Sequence, residues 1–212
     1  MLHLPRKPQI RDFEAKLGVE FPFMCRKEVT AEQWEKGGYS LYDAYGCDVG
    51  KGWYELLRNL CLDITKAYEA AGLPVDIIVD QVKEKFGTLR FYYHPKGQDP
   101  GFHALDFLVS GTSLRMQPGS TDLHNEVARV VSKWEEESAS VCEECGAPGE
   151  TRTDLGWILT LCVSCYEDKK TLIEEKKLQS KESKKDRKLR IAKEKKVIHE
   201  QTLICQYFFG QK

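Results

Sequence analysis

Nothing in this 212-residue chain approaches the roughly 20 consecutive apolar residues that a membrane-spanning helix needs. Its opening stretch, MLHLPRKPQI, has no apolar run that could serve as a signal peptide. The common signatures of nucleotide and hydrolase chemistry are also missing. There is no P-loop, no dinucleotide glycine motif, no H-E-x-x-H and no G-x-S-x-G. The five histidines, His3, His94, His103, His124 and His199, include no pair at helical metal-binding spacing. These absences predict a soluble, cytoplasmic protein with no membrane partner and no catalytic motif.

Cysteine is well represented, with eight residues. In a reducing compartment eight thiols are not a disulfide framework. Cys25, Cys47, Cys61 and Cys205 are scattered singly, whereas Cys142, Cys145, Cys162 and Cys165 form C-x2-C-x16-C-x2-C. Two ligands three residues apart can turn both sulfurs onto one ion, and Gly146 suits the tight turn after the first pair. Four thiolates predict one structural zinc ion, with Zn–S about 2.3 Å. All four coordination positions are then filled, which leaves none for water or substrate. The expected role is a folding staple that also fixes where the following helix begins. An iron–sulfur cluster takes the same ligands, but nothing else in the chain suggests redox work.

Charge is unevenly distributed. Residues 1–168 hold 18 Lys and Arg against 27 Asp and Glu, a balance of −9. From Lys169 to Lys196 there are 13 against 5, a balance of +8. An acidic body thus carries a basic arm, and the near-neutral total of −1 conceals it.

The expected fold class is α+β: a small antiparallel sheet with packed helices, a four-cysteine zinc ribbon or treble-clef-like module, and a long charged C-terminal helix. The clearest helix is 53–71. Trp53, Leu57, Leu60, Cys61, Ile64, Ala67, Tyr68 and Ala71 share one face, Gly72 follows, and Pro74 stops the helix. Cys61 on that face reads as a small buried hydrophobe. Residues 75–94 read as a β-hairpin turning near Glu84–Gly87, with Leu89, Phe91 and Tyr93 on one face and Arg90 and Tyr92 on the other. Residues 121–137 predict a second amphipathic helix through Leu123, Val127, Val130, Val131 and Trp134. Before these, IRDFEAKLGV predicts a short helix closed by Gly18, TAEQWEKGG another capped by Thr30, and YSLYDAYGCDVGKG a packed loop. Residues 95–120, with three prolines, predict loop and a short element at HALDFLVS. ETRTD and GWILTL predict a hairpin between the cysteine pairs. The boundaries that follow are a body at 1–140, the metal module at 141–166, a basic helix at 167–201 and an apolar segment at 202–212. That last segment, TLICQYFFG, is expected to return as a strand or to bury against a second copy, making a dimer.

No residue qualifies as catalytic. His124, Asn125 and Glu126 are adjacent on a helix and point apart, unlike the convergent residues of a His-Asn-His nuclease. His94 and His103 flank a loop that could bring them together, but they read better as exposed loop residues. Asp80, Lys83, Glu84, Lys85 and Arg90 read as a surface hairpin rather than a metal-dependent nuclease centre. Trp53, Lys83, Lys85, Arg90 and Tyr92 are the candidate ligand or partner surface, because cations beside aromatic rings take phosphates or stacked bases. A pocket between the first long helix and the hairpin is expected there. Lys184, Lys185, Arg187, Lys188 and Arg190 are the candidate basic contacts. The charged helix also reads as a plain solvated spacer, held by i,i+4 pairs such as Asp186–Arg190 in the run Glu182–Asp186–Arg190.

GWYELL, QVKEKFGTLRFYY, CEECGAPG and GWILTLC together resemble a group of poorly characterised bacteriophage and bacterial proteins, over roughly residues 50–166. The resemblance implies a small α+β body with an appended zinc ribbon and a phage or mobile-element origin. It assigns no catalytic residues. The leading expectation is a non-catalytic binding protein acting on a host macromolecule in the bacterial cytoplasm, such as a host protein of a defence or regulatory complex. The alternatives are a nucleic-acid-binding zinc-ribbon protein and an enzyme or binder acting on a nucleotide-like small ligand.

Overall fold

The computed structural model describes residues 10–98, 105–109, 112–116 and 122–209. Two compact units divide the chain, Met1–Tyr166 and Glu167–Lys212. The first holds the predicted body and the cysteine module together in one unit.

Helix α1 is Asp12–Glu20. Gly18 lies inside it rather than closing it; the chain leaves the helix at Phe21, before Pro22. A Cβ at Gly18 would stand 3.2 Å from the Cα of Cys25, so the glycine permits a close backbone crossing. Helix α2, Ala31–Lys36, starts as predicted at Thr30, whose hydroxyl accepts from the Gln33 amide. The stretch expected to be a packed loop instead contains helix α3, Leu41–Tyr45, capped by the Ser40 side chain, and strand β1, Cys47–Asp48. These elements are too short for periodicity to reveal.

Helix α4, Tyr54–Ala70, follows a single 3-10 turn at Lys51–Trp53 and buries Leu56, Leu57, Leu60, Cys61, Ile64 and Tyr68. Burial pushes the Cys61 thiol well above its ordinary pKa, in keeping with an inert core residue. Strands β2, Ile77–Lys85, and β3, Thr88–Pro95, form the predicted hairpin. The sheet is not purely antiparallel. β1 pairs parallel with β2 at Val82 and Lys83, giving a mixed sheet in the order β1-β2-β3. A further hairpin, β4 (Leu105–Val109) with β5 (Thr112–Met116), occupies the region expected to be mostly loop.

Helix α5, Asp122–Glu137, packs against α4 and β3. The Trp134 indole and Lys133 ammonium both donate to Asp63 of α4, at 3.0 and 3.2 Å. α5 and the 3-10 turn after it, Ser138–Ser140, cover the outer edge of β3. The amide of Phe91 donates to the Glu135 carboxylate at 2.7 Å, and that of Leu89 donates to the Ser138 hydroxyl at 2.8 Å. An otherwise open strand edge is thereby satisfied from side chains. The core gathers Trp53, the α4 stripe, Val79, Val82, Leu89, Phe91, Val127 and Val131.

The cysteine module contributes β6, Glu150–Arg152, and β7, Leu159–Leu161. Helix α6 then runs Val163–Phe209. Thr202–Phe209 is helical, so the expected return of the terminal segment as a strand does not occur; residues 210–212 lie outside the described residues. Among the described residues no helix is long and apolar enough to cross a membrane.

Candidate metal centre

Three local devices bring the four cysteines together. Cys142 and Cys145 sit on a knuckle closed by the Gly146 amide, which donates to the Cys142 carbonyl at 2.8 Å. Gly146 has φ +80°, a conformation that other residues reach only with strain. The β6–β7 hairpin returns the chain, and the first turn of α6 supplies Cys165 beside Cys162. The four sulfurs all lie within 4.8 Å of one another, with Cys145 and Cys162 at 3.7 Å. Thiolates around a tetrahedral ion at about 2.3 Å stand about 3.8 Å apart, close to the Cys145–Cys162 spacing, so the four sulfurs are near enough to hold one metal ion.

Thiol electrostatics point the same way. The Cys165 amide, 3.5 Å from the Cys162 sulfur, pulls the Cys162 thiol down to about 7. Burial, together with contact with the other three sulfurs, pushes Cys165 up. Four crowded thiols cannot all ionise beside one another, and a cation at their centre removes that conflict. Every donor is a cysteine, and the knuckle is sealed against the protein on one side, where Cys142 is fully buried.

The module is seated on the body through the segment Gly50–Trp53. The Gly52 amide donates to the Glu143 carbonyl at 2.8 Å, and the Trp53 indole donates to the Val141 carbonyl at 2.7 Å. A Cβ on Gly52 would stand 2.4 Å from the Cys142 carbonyl oxygen and 2.5 Å from the Gly146 nitrogen. A second seat is the tip of the β2–β3 hairpin. Thr160 of β7 donates to the Gly87 carbonyl at 2.6 Å, and the Trp157 indole donates to Glu84 at 3.2 Å. The four sequence motifs, GWYELL, KEKFG, CEECGAPG and GWILTLC, therefore meet at the cysteine module.

This seat redistributes the residues predicted to form a ligand surface. Trp53 is fully buried and braces the knuckle, so it presents nothing to a ligand. Arg90 is only 5% exposed; its guanidinium donates to Thr88 and to the Leu89 carbonyl. Lys85 lies over the Phe86 ring at 5.5 Å, on the hairpin tip. Lys83 and Tyr92 do stay together, the ammonium 5.1 Å from the ring centre. The expected pocket between α4 and the hairpin is core. A groove instead lies on the opposite face of the hairpin, lined by Lys83, Tyr92 and His94 on one side and by residues 27–29, 38–41 and 43 on the other.

His94 is not a loop residue. It belongs to β3, and its Nδ1 stands 2.9 Å from each oxygen of Asp80. The β2–β3 register shifts between Val79 and Gln81, so Asp80 is the extra residue of a β-bulge that delivers its carboxylate to His94. His103 lies outside the described residues. His124, Asn125 and Glu126 occupy successive positions of α5. Lys184 and Lys188 are exposed on α6; the side chains of Lys185, Arg187 and Arg190 lie outside the described residues.

Sequence reading missed a second buried polar centre. The Glu14 carboxylate, only 3% exposed, accepts from the Cys47 amide at 2.8 Å and pairs with Arg11 at 3.0 Å and Arg26 at 3.6 Å. It ties α1 to the start of β1. Arg11 and Glu14 at i and i+3 are visible in sequence, but their partner Cys47 is not.

Comparison with known proteins finds no matching family model, no matching curated protein and no matching solved structure.

Proposed function

We propose that this chain is a non-catalytic binding protein, stapled by one structural zinc ion, that engages an acidic protein surface through its basic helix. The order of knuckle, hairpin and ligand-bearing helix supports a treble-clef-like zinc module, and four thiolates suit zinc. An all-cysteine donor set seated on Gly52 and Trp53 favours a staple over a reactive metal.

The observation that carries the protein-partner reading lies on α6. Leu172, Leu178 and Leu189 are exposed among the lysines, at 53, 59 and 57%. Leu178 and Leu189 are three helical turns apart and share a side of the helix. A purely phosphate-tracking helix has no use for such leucines, whereas an acidic groove with an apolar floor accepts both residue types. The acidic balance of residues 1–168 also opposes a polyanionic partner. The resemblance to phage and bacterial proteins supports a host protein in the bacterial cytoplasm as the target, including a component of a defence or regulatory complex.

The test is a tagged pull-down from bacterial cells with and without nuclease, run beside a Leu178→Asp/Leu189→Asp variant. A discrete host protein that survives nuclease and disappears with the variant supports the reading. Recovery of nucleic acid, with co-purifying proteins lost on digestion, replaces it with the nucleic-acid-binding alternative.

A further inference from the structure

The hairpin face turned away from the core holds none of the four clustered cysteines. We propose that it floors a binding site for a nucleoside monophosphate, an aromatic base carrying one phosphate group. This inference stands apart from the macromolecular reading and does not depend on it.

Register puts Ile78 opposite His94, and Gln81 opposite Tyr92, so all four share the face opposite Val82 and Phe91 of the core. With the wall from residues 27–29, 38–41 and 43 they line a groove of about 740 Å³. Ligand pockets for small molecules run from about 300 to 1,000 Å³, so the size suits a mononucleotide. Two tyrosines, Tyr39 and Tyr92, line it and offer rings to a base. Tyr39 is held against the Trp34 ring at 5.0 Å between centres, which limits its rotation. Lys83 stands over the Tyr92 ring, its ammonium 5.1 Å from the ring centre, so a cation and an aromatic face meet in the groove.

The polar groups of the groove divide into acids and donors. Asp80 is engaged by His94, and Asp43 accepts from the Lys27 amide at 2.8 Å. With Nδ1 committed to Asp80, the Nε2 of His94 is the ring's remaining polar atom for a ligand. Lys27 and Lys83 supply two ammonium groups to the lining. Glu28 is a third lining carboxylate and is exposed. Asp43, Asp80 and Glu28 stand against Lys27 and Lys83 in the lining, so each added phosphate meets more repulsion, which favours a monophosphate over a triphosphate.

The deciding experiment is an amide NMR titration of the full, zinc-loaded chain with AMP and UMP, set against adenosine and inorganic phosphate alone. The expected result is saturable shifts in residues 27–43 and 78–94 for a monophosphate, with adenosine and phosphate each binding at least about tenfold more weakly. Tyr92→Ala and Lys83→Ala, both on the groove face, should each weaken binding about tenfold or more. Three results would overturn the proposal. One is no saturable shift up to about 10 mM, a level that nearly fills even a millimolar site. Another is shifts confined to residues 181–188, which would place the phosphate on α6. The third is binding undiminished in both variants. The map on the unsubstituted chain decides the matter even if a variant fails to fold.

Discussion

The amide of Gly52 donates to the carbonyl of Glu143 at 2.8 Å, so the turn leading into α4 is bonded directly to the cysteine knuckle. No side chain fits between them. Gly52→Ala would put a methyl 2.4 Å from the Cys142 carbonyl oxygen, 2.5 Å from the Gly146 nitrogen and 2.6 Å from the Cys145 nitrogen, all three of them backbone atoms. The knuckle must move to admit it. The expected outcome is a loss of metal affinity of about 10- to 100-fold, the scale for groups that orient metal ligands. Competition with a chromogenic chelator measures it, and unchanged affinity would mean that the seat is not coupled to the ligands.

Metal removal should cost global stability, because the module and body share one compact unit. At free zinc about 1,000-fold above the dissociation constant, linkage contributes about 4 kcal/mol. Chelation by EDTA is therefore expected to lower the thermal transition of the whole body. Cys162→Ser should reproduce the drop and make the chain insensitive to EDTA. Calorimetry with and without chelator checks both. A transition that ignores EDTA would contradict the staple.

Glu14 is a carboxylate withdrawn from water and answered by Arg11, Arg26 and the Cys47 amide. Removing it leaves the mostly buried Arg26 cation and the buried amide uncompensated. Glu14→Ala should destabilise the fold by about 3 kcal/mol, as for other broken buried pairs. Urea unfolding followed by tryptophan fluorescence measures this. A loss under about 1 kcal/mol would mean that water replaces the pair readily.

Phe86 is the only non-glycine residue with positive φ among the described residues, at 56°, and it precedes Gly87 at 76°. This pair forms a two-residue hairpin turn of the kind in which Asn-Gly is favoured. Phe86→Asn should relieve the left-handed strain of about 1 kcal/mol while giving up the exposed contact with Lys85. A net gain of about 0.5 kcal/mol is expected by chemical denaturation. Destabilisation instead would show that the exposed ring packs against something beyond its own hairpin.

Much of the candidate centre was legible before any fold was known. The spacing of Cys142, Cys145, Cys162 and Cys165 specifies a four-sulfur cluster because each pair needs only a local turn. The groove was not legible. Of the candidate surface residues, Lys83 and Tyr92 reach it, whereas Trp53 and Arg90 are buried. Alternation correctly put Arg90 on the same face as Tyr92, but it does not say which part of a face is covered.

By itself, then, the sequence determined whatever repeats over a few residues. It contained the α4 stripe, the β2–β3 hairpin, the metal knuckles and the separation of acidic from basic residues. Those follow from backbone period and from charge, which are properties of neighbours in the chain. Tertiary structure alone decided that Gly52 seats the knuckle, that Glu14 answers two arginines and an amide, and that a bulge at Asp80 aims its carboxylate at His94. Each of these joins groups that share no periodicity. Their pairing is set by which surfaces exclude water together, and that is settled only when the whole body closes.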